Sequence, residues 1–413
     1  MASRYEVRVK DRTGEERYRT RAYHRLFYTR KINAPGEFTL EIAKGRSESL
    51  DSLADYLANI DSGDDHSLDA QIEIWREDTD AGITLYLDFE GFHRTGHRYQ
   101  TEQGVERVVS YGRGYNDLLN VGVGYPSLSA GAVKSGTGET VIKAYVEENL
   151  GSLSTVANGR DRTIDLAGFS VEVDYARGDV WTGSRPRQNL LDVCQEIGHC
   201  VGGLDFQIVG MGRDEVLGIP TFQFQVRVPQ WGEDRTNRGV DPLTGLNAAG
   251  NAPVVFSVDF ANMLVPQYSV SYTGAIPVVM ALGQGIEADR TVYVKENTEA
   301  LSLSHLNVRE AYTNANTEDT TAGLDIAATT RLHELEARRV FDFVALQSAA
   351  VKYGRDYGIG DIVTATYGGV TVHRKISEVA VAIGSTTGVG QAAKDDIRIT
   401  VSETEEGAGH VEH

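Results

Sequence analysis

Short runs of alternating apolar and polar residues recur through the first 120 positions of the chain. They occupy positions 5–9, 38–42, 71–75, 83–89 and 106–111. Turn residues such as Asp11-Arg12-Thr13-Gly14 and Pro35-Gly36 lie between them. Because successive side chains of a strand face opposite sides of a sheet, a repeat of two indicates half-buried antiparallel strands. Residues 1–120 are therefore predicted to form a tube-like antiparallel β-barrel domain, with a short helix over 49–57.

The repeat changes to three and four residues in the middle of the chain. After Gly138 the apolar positions are Val141, Ile142, Tyr145, Val146 and Leu150, and after Pro186 they are Leu190, Leu191, Val193, Cys194 and Ile197. This spacing places apolar side chains on one face of a helix. Residues 121–214 are therefore predicted to form an inserted, helix-containing domain. A third helix is predicted over 328–343, with Leu332, Leu335 and Val340 on one side.

Strand patterns return in the second half of the chain. They cover 221–228, 254–271, 361–366, 370–372, 376–383 and 397–401, and a polar loop at 232–253 is long enough to be either functional or mobile. We predict a second tube-like β domain formed by 215–295 and 350–402, a helical or loop insertion over 296–349, and an acidic tail over 403–413. The predicted fold class is α+β and predominantly β, with tube-like antiparallel β-barrel domains and an inserted helical domain in a hub-like arrangement.

The charge balance argues against a nucleic-acid-binding factor. The 413 residues have a formal net charge of −19, whereas phosphate binding needs clustered Lys and Arg. An acidic surface that keeps an oligomer soluble is the simpler explanation. The sequence has no apolar run of leader length and none near the roughly 20 residues of a membrane helix. We therefore expect synthesis in the cytoplasm and no membrane anchor.

No motif for a cofactor or a metal is complete. Gly283-Gln284-Gly285 lacks the third glycine of a dinucleotide loop, and no phosphate-loop sequence occurs. His333-Glu334 is followed by Ala337 where a zinc protease has its second histidine. Cys194 and Cys200 are six residues apart in one predicted helix and do not share a face, which argues against a disulfide or a zinc site. We expect no cofactor-binding and no metal-binding residues.

Carboxylate clusters are the remaining candidates for catalysis. They are Asp64-Asp65, Asp78 with Asp80, Glu147-Glu148 and Asp395-Asp396. A glycosidase needs one protonated and one ionised carboxyl group close together, but all four clusters are expected in loop-like or solvent-facing positions. Gly183-Ser184 lacks the second glycine of a hydrolase elbow, and His199 beside Cys200 fits a helix end better than a catalytic dyad. We predict no catalytic residue and no enzymatic activity.

A basic segment near the N-terminus alternates with aromatic residues. Its members are Arg17, Arg19, Arg21, Arg25, Arg30 and Lys31, with Tyr18, Tyr23, Phe27 and Tyr28 between them. The composition superficially suits stacking on single-stranded nucleic acid. Alternation along strands explains it more simply, because one side of a sheet can present Arg side chains while the other packs the aromatic ones. We interpret the segment as an interface or a solvated face.

Several stretches together resemble a known family. They are YEVRVKDRTG at 5–14, YTRKINAPGEFTL at 28–40, GTGETVIKAYVEEN at 136–149, NLLD at 189–192, GGLDF at 202–206 and YGIGDIV at 357–363. In these stretches the chain resembles the Gp37-like tail proteins of siphoviruses, which are akin to the central baseplate hub and tail-associated proteins of phages and related injection machines. The loop at 232–253 departs from the family pattern.

The resemblance implies a homotrimer in which two tube-like β domains per subunit form a pseudo-sixfold ring with a helical domain on its flank. It also implies partners: a hexameric distal tail protein above, the tape-measure protein inside, and a tail fibre or tip protein below. DNA would only pass through the channel. The expected location is the tail tip of the virion, after synthesis in the host cytoplasm. Two alternatives remain open, a tail-associated carbohydrate-active enzyme and a receptor-binding β protein.

Overall fold

The computed structural model describes residues 3–123, 132–154, 168–185, 187–201, 203–286, 289–316, 320–348, 350–384 and 395–401. In this part of the chain twenty-two strands form five sheets, accompanied by five α-helices. The predicted α+β, predominantly β fold is confirmed. The predicted acidic tail at 403–413 lies outside the described residues.

The first part of the chain folds into seven strands and one helix. Their bounds are Ser3–Lys10 (β1), Glu16–Thr20 (β2), Arg25–Lys31 (β3), Glu37–Ala43 (β4), Glu48–Ala58 (α1), Gln71–Asp78 (β5), Ile83–Gln100 (β6) and Glu106–Gly114 (β7). The Ser47 side chain caps α1 by accepting a hydrogen bond from the Leu50 N–H. Leu50, Leu53 and Leu57 then share one helix face and are buried in the core. The five alternating runs of the sequence all lie in these strands.

Residues 133–227 form a second unit with its own core. Its elements are Val133–Thr137 (β8), Gly138–Asn149 (α2), Phe169–Val171 (β9), Val180–Ser184 (β10), Leu190–Cys200 (α3), Asp205–Asp214 (β11) and Ile219–Arg227 (β12). Every apolar position that predicted the two helices is buried in this core. Trp181, Phe206 and Phe224 fill the space between the helices and the strands. The two helices predicted in this region are therefore confirmed.

The polar stretch at 232–253 is a loop that is fixed at its base. Asp234–Arg235 (β13) pairs in parallel with residues 362–363. The Asn247 side chain donates hydrogen bonds to the carbonyls of Asp234 and Thr236. The tip is open to solvent, since Leu243 is 95% exposed. The next strand is Val255–Ser257 (β14).

A ribbon and a small inserted unit follow. The elements are Met263–Ser271 (β15), Val278–Leu282 (β16), Val292–Glu296 (β17), Thr298–Ser302 (α4), Glu310–Asn314 (β18), Thr321–Glu334 (α5) and Arg338–Ala345 (β19). Strands β15 and β19 pair antiparallel and form the ribbon. Strands β16, β17 and β18 form a separate sheet between them in the chain.

The helix predicted over 328–343 is wrong in its bounds. The Thr320 side chain caps α5 by accepting the Gly323 N–H, so the helix begins earlier than its apolar repeat suggested. It ends at Glu334, and residues 338–345 are a strand. The run Val340-Phe341-Asp342-Phe343-Val344 alternates with a period of two and is rich in β-branched and aromatic residues, which favours a strand.

The last three strands complete the large sheet. They are Ile362–Tyr367 (β20), Val370–Ile383 (β21) and Asp395–Val401 (β22). The strand order is β13-β20-β21-β3-β4-β7-β6-β5-β1-β2, with β14 paired to β20 and β22 to β21. Because β21 pairs with β3, backbone hydrogen bonds join the beginning of the chain to its end in one twelve-stranded sheet. The division of this sheet between two β domains stays a prediction.

Candidate assembly surface and charge junction

The ribbon formed by β15 and β19 leaves most of β15 in contact with solvent. Met263 is the one residue of β15 that is buried. Leu264, Val265 and Val270 are 47%, 66% and 40% exposed. On the opposite strand Phe341 is buried in the main core. The ribbon therefore lies on the body of the protein through one strand and presents apolar side chains outward from the other.

The chain has an unusual backbone where it enters the ribbon. Ala261 and Val265 have φ angles of 51° and 48°, a left-handed conformation that side chains with a Cβ disfavour and β-branched ones disfavour most. The register of the ribbon shifts between Leu264 and Gln267, which marks a β-bulge. Phe260 in the same segment is 63% exposed. Strained residues of this kind concentrate at binding surfaces.

A two-stranded ribbon gains little stability in water without further burial of its apolar side chains. Within the described residues β15 pairs with no strand other than β19. An open strand edge with exposed apolar side chains is a template for association with another chain. We therefore identify residues 258–271 as the candidate assembly surface.

A carboxylate is buried within the large sheet. Asp88 on β6 accepts hydrogen bonds from the Tyr28 hydroxyl at 2.5 Å, from Arg30 Nη1 at 2.9 Å and from the Tyr353 hydroxyl at 2.7 Å. Its side chain is completely buried. Because a buried carboxylate needs charged and hydrogen-bonding partners in place of water, these donors tie β3 and β6 to the segment before β20. We call this group, together with Arg76, the charge junction.

Arg76 on β5 extends the charge junction to both ends of the chain. Its guanidinium donates to the Tyr5 hydroxyl at 3.0 Å and to the Tyr353 carbonyl at 2.8 Å. The Tyr5 hydroxyl donates in turn to Asp395 at 2.6 Å. The Arg76 side chain is 1% exposed. The junction thus connects β22 to β1 and β5 through side chains, in addition to the backbone pairing of β1 with β5.

In two of the carboxylate clusters, one residue does not face solvent as predicted. Asp78 was expected to face solvent, but it is buried and pairs with the buried Lys352 at 3.2 Å. Asp395 was also expected in a solvent-facing position, but it begins β22 and belongs to the hydrogen-bond network of Tyr5. The reason is the same for both: each carboxylate compensates a buried donor contributed by a distant part of the chain.

A cleft of about 210 Å³ lies between the large sheet and β11, lined by both Asp88 and Glu90. Burial, with the carboxylate of Glu73 nearby, raises the pKa of Glu90 to about 7. Two carboxyl groups in one cleft, one of them with a raised pKa, superficially match a glycosidase. Asp88, however, is held by its three donors, and Glu90 accepts the Gly210 N–H at 3.4 Å. The cleft is also smaller than the roughly 300 Å³ of the smallest typical ligand pockets.

A model of one protein family matches residues 100–388, which contain the second unit, the ribbon, and strands β20 and β21. Its description is siphovirus ReqiPepy6 Gp37-like protein. The chain belongs to this family. The match confirms the resemblance found in the sequence, and it covers the assembly surface of this Gp37-like protein.

Two solved structures of tail proteins share the fold. The tail protein from Neisseria meningitidis MC58 is 12% identical, with 97% of both chains covered and a TM-score of 0.53. The tail protein of prophage MuSo2 from Shewanella oneidensis is 13% identical, with 96% of this chain and 98% of that chain covered and a TM-score of 0.50. At such identities the likeness concerns the fold alone. No curated protein sequence matches the chain.

The Gp37-like family and its tail fold together support a structural protein of a phage tail, and hence a component of the virion. In the described part of the chain, no helix is both long and apolar enough to cross a membrane. Among those same residues no group of three or more His, Cys, Asp or Glu side chains is placed to hold a metal ion.

The other candidate carboxylates of the Gp37-like chain have local roles. Asp65, Glu148 and Asp396 pair with Arg17, Lys134 and Arg398 at 3.1, 2.8 and 3.1 Å. Glu147 accepts hydrogen bonds from the backbone and hydroxyl of Ser152 at the end of α2. Asp64 is exposed in a turn, and Asp80 is exposed in a single turn of 3₁₀ helix between β5 and β6. His333, in the last turn of α5, pairs at 3.2 Å with Glu336, which lies just beyond the end of the helix. The structure brings none of these described side chains together as a catalytic pair.

The cysteines are packing residues, and His199 beside them lies on the exposed side of α3. Both cysteines are free thiols, and burial raises the pKa of Cys194 and of Cys200. Cys200 Sγ lies 3.0 Å from the Thr330 hydroxyl of α5. Partial desolvation lowers the pKa of His199. Protonated thiols beside a neutral imidazole are poor nucleophiles, and Ser184, the candidate serine, lies in the short strand β10.

The basic segment pairs with acidic side chains. Arg21 lies 3.0 Å from Glu6, Arg17 lies 3.0 Å from Asp11, and Lys31 lies 3.4 Å from Glu378. The aromatic side chains of Tyr23 and Tyr28 are buried in the core. The predicted separation by strand alternation holds on β2, where Arg17 and Arg19 are exposed and Tyr18 between them is partly buried. It is wrong on β3, where Tyr28 and Arg30 lie on the same face and both donate to Asp88.

Proposed function

We propose that the chain is a hub protein at the tail tip of a siphovirus, working as a homotrimer. In this proposal the β parts at 1–120 and at 215–295 with 350–402 alternate around a central channel. Three copies of two similar units give six positions, so a threefold hub matches a sixfold tail tube. The charge junction supports the proposal, because it fixes the two β parts rigidly to each other within one subunit.

The observation that carries the proposal is the assembly surface at 258–271. Leu264, Val265 and Val270 lie on a strand whose outer edge pairs with no strand among the described residues of one subunit. Pairing that edge with a neighbouring copy would complete the ribbon and remove these apolar side chains from water. A ring subunit needs such a surface, whereas a monomeric protein would leave it open to aggregation.

The proposed ring has neighbours on three sides. A hexameric distal tail protein lies above it, the tape-measure protein enters it, and a tail fibre or tip protein lies below. DNA passes through the channel during genome ejection. The net charge of −19 suits this role, since a wall without basic clusters does not retain the phosphate backbone.

Sedimentation velocity of the purified chain tests the trimer. We expect a trimer for the natural sequence and a monomer when Leu264→Lys and Val270→Lys are combined, because two charges would enter the subunit contact. Val216→Lys is the matched control, since Val216 is 94% exposed in the turn between β11 and β12. A natural chain that stays monomeric, or a particle map with six identical copies in the ring, would refute the arrangement.

We also propose that the chain is not an enzyme. Asp88 and Glu90 share the cleft described above, so substitutions at these two residues test whether the chain has catalytic activity. Cell-wall polymers and simple glycosides should show no turnover with the natural chain. Turnover that disappears in Glu90→Gln would instead support a carbohydrate-active tail protein.

A further inference from the structure

The small inserted sheet has one covered and one open face. Strand β16 is central, antiparallel to β17 and parallel to β18. Val279 and Ala281 point toward α5 and are buried with Leu324 and Ala328 of that helix. Side chains of a strand alternate between faces, so the neighbours of Val279 and Ala281 point away from α5.

The open face carries a continuous apolar stripe. In the backbone register, Val294 and Tyr312 flank Met280, and Val292 lies beside Leu282. Val292, Val294 and Tyr312 are 50%, 48% and 62% exposed. Cross-strand neighbours on one face lie close enough to form a single surface. We call these five residues the outer stripe.

Two carboxylates border the outer stripe at one end. Glu296 and Glu310 both lie opposite Val278, one on each side of it, and are therefore about 10 Å apart across two strand spacings. Both are exposed. No cation among the described residues lies within ion-pair distance of either. Arg309, next in the chain to Glu310, donates its hydrogen bonds to the carbonyls of Tyr272 and Thr273 instead.

The opposite end of the outer stripe differs in charge. Arg290 donates to the Asn314 side chain at 2.6 Å, and Asn314 lies in register with Leu282. The connection between β17 and β18 returns at the carboxylate end, and there Leu303, Leu306 and Val308 are 59%, 75% and 70% exposed. The open face therefore has two carboxylates at one end and a basic side chain at the other, and exposed apolar residues follow in the connection beyond the carboxylate end.

We propose that the outer stripe binds a segment of a partner protein that has apolar side chains followed by Lys or Arg. Apolar contact with Val294 and Tyr312 supplies the affinity, and the cations meet Glu296 and Glu310, whose charge nothing else in the described chain compensates. A second copy of this chain is a poorer occupant, since its surface carries an excess of acidic groups and like charges would meet at the rim. The inference does not require the trimer.

Fluorescence anisotropy of labelled peptides with the purified full-length chain tests the inference. The probe is a short peptide of alternating Val and Thr that ends in two Lys residues, and the comparison peptide ends in two Glu residues. We expect the Lys peptide to bind, the Glu peptide to bind about tenfold more weakly or not at all, and the difference to shrink at high salt.

Two variants locate the site. Val294→Lys with Tyr312→Lys should abolish binding of the Lys peptide, and Glu296→Gln with Glu310→Gln should remove its preference over the Glu peptide. Val216→Lys is the control that should bind normally, and circular dichroism checks that each variant is folded. Failure of the Lys peptide to bind, or equal binding to all folded variants, would overturn the inference.

Sedimentation of the same variants separates this inference from the trimer. We expect Val294→Lys with Tyr312→Lys to remain a trimer, because the outer stripe is distinct from the assembly surface at 258–271. Loss of the trimer in this variant would show that the outer stripe joins copies of the chain, and the proposal of a basic partner would be wrong. A natural chain that is monomeric but still binds the Lys peptide would refute the trimer alone.

Discussion

The hydroxyl of Tyr353 donates a hydrogen bond of 2.7 Å to Asp88, a residue 265 positions earlier in the chain. Arg30 reaches the same carboxylate, and its Nη1 also lies 3.2 Å from the Tyr353 hydroxyl. The three side chains come from three separate segments and meet beside the cleft, where the Asp88 carboxylate is itself buried. Their mutual orientation therefore holds β3, β6 and the segment before β20 in one position.

Removing the carboxylate should cost far more than removing the hydroxyl. Asp88→Asn leaves the Arg30 charge without its counterion, and we expect a loss of about 3–5 kcal/mol in the free energy of unfolding. Tyr353→Phe removes one donor of three, with an expected loss of about 1–2 kcal/mol. Urea denaturation measures both. The control Tyr367→Phe replaces a tyrosine that is 42% exposed and should change the free energy of unfolding little. Equal losses of stability in all three variants would contradict a stabilising role of the charge junction.

Glu90 should make stability depend on pH. Its pKa is raised to about 7 by burial, above that of the unfolded chain, so its contribution is fully present below about pH 4.5 and is lost as pH rises through 7. At about pH 8 the free energy of unfolding of Glu90→Gln should therefore exceed that of the natural chain by up to about 3 kcal/mol. Near pH 4.5 the two proteins should be equally stable in this respect. Denaturation curves at several pH values measure this, and parallel pH profiles for the two proteins would refute it.

Glu139 anchors the start of α2. Burial opposes its ionisation, but hydrogen bonds from Arg177 and Lys143 outweigh burial and lower its pKa to about 2. This contribution to stability is present above about pH 4.5 and is lost as pH falls toward 2.

Glu139→Gln removes the nearest carboxylate from the buried Lys143 ammonium, which keeps Glu172 at 3.4 Å. At neutral pH we therefore expect a loss of about 3 kcal/mol in the free energy of unfolding, measured by thermal or chemical denaturation. The control Glu148→Gln breaks a partly exposed pair with Lys134 and should cost about 1 kcal/mol or less. If the two variants lost similar amounts, the Glu139 pairing would be unimportant to the fold.

The core of the second unit should be sensitive to charge. Ile142 is fully buried in α2, so Ile142→Asp places a carboxylate without a partner among apolar side chains, with an expected cost of several kcal/mol. Soluble yield and melting temperature report the loss. Ile286→Asp, at a position that is 81% exposed, is the control that should behave like the natural chain. An unchanged melting temperature in the first variant would mean that α2 is not buried in solution.

Periodicity predicted the elements that bury a single face. The apolar repeat of α2, with Val141 and Tyr145, fixed its location, and the alternation in β1 and β4 did the same for strands. The boundary between α5 and β19 failed because the helical repeat and the strand repeat follow each other within four residues of Glu334. No turn residue between them marks where one pattern ends.

The charge junction could not be predicted from the sequence. Asp88 and Arg76 lie on alternating strands, where a charged residue normally faces solvent. Their burial depends on Tyr353, whose position depends on the pairing of β21 with β3. The outer stripe could not be predicted for the opposite reason. Apolar residues in a short strand normally indicate a buried core, and the sequence does not show that no further element of the described chain covers this face.

The pairing of β21 with β3 also sets the order of events during synthesis. Tyr5 and Asp395 meet although 390 positions separate them, and contacts of such long range form late and slowly. Strand β21 must be synthesised before β3 acquires its second neighbour, in addition to β4. Strand β19 packs beside β22, so part of the support of the ribbon also comes from a strand that follows it in the chain. In the proposed trimer, the assembly surface would therefore be complete only after β22 has been synthesised.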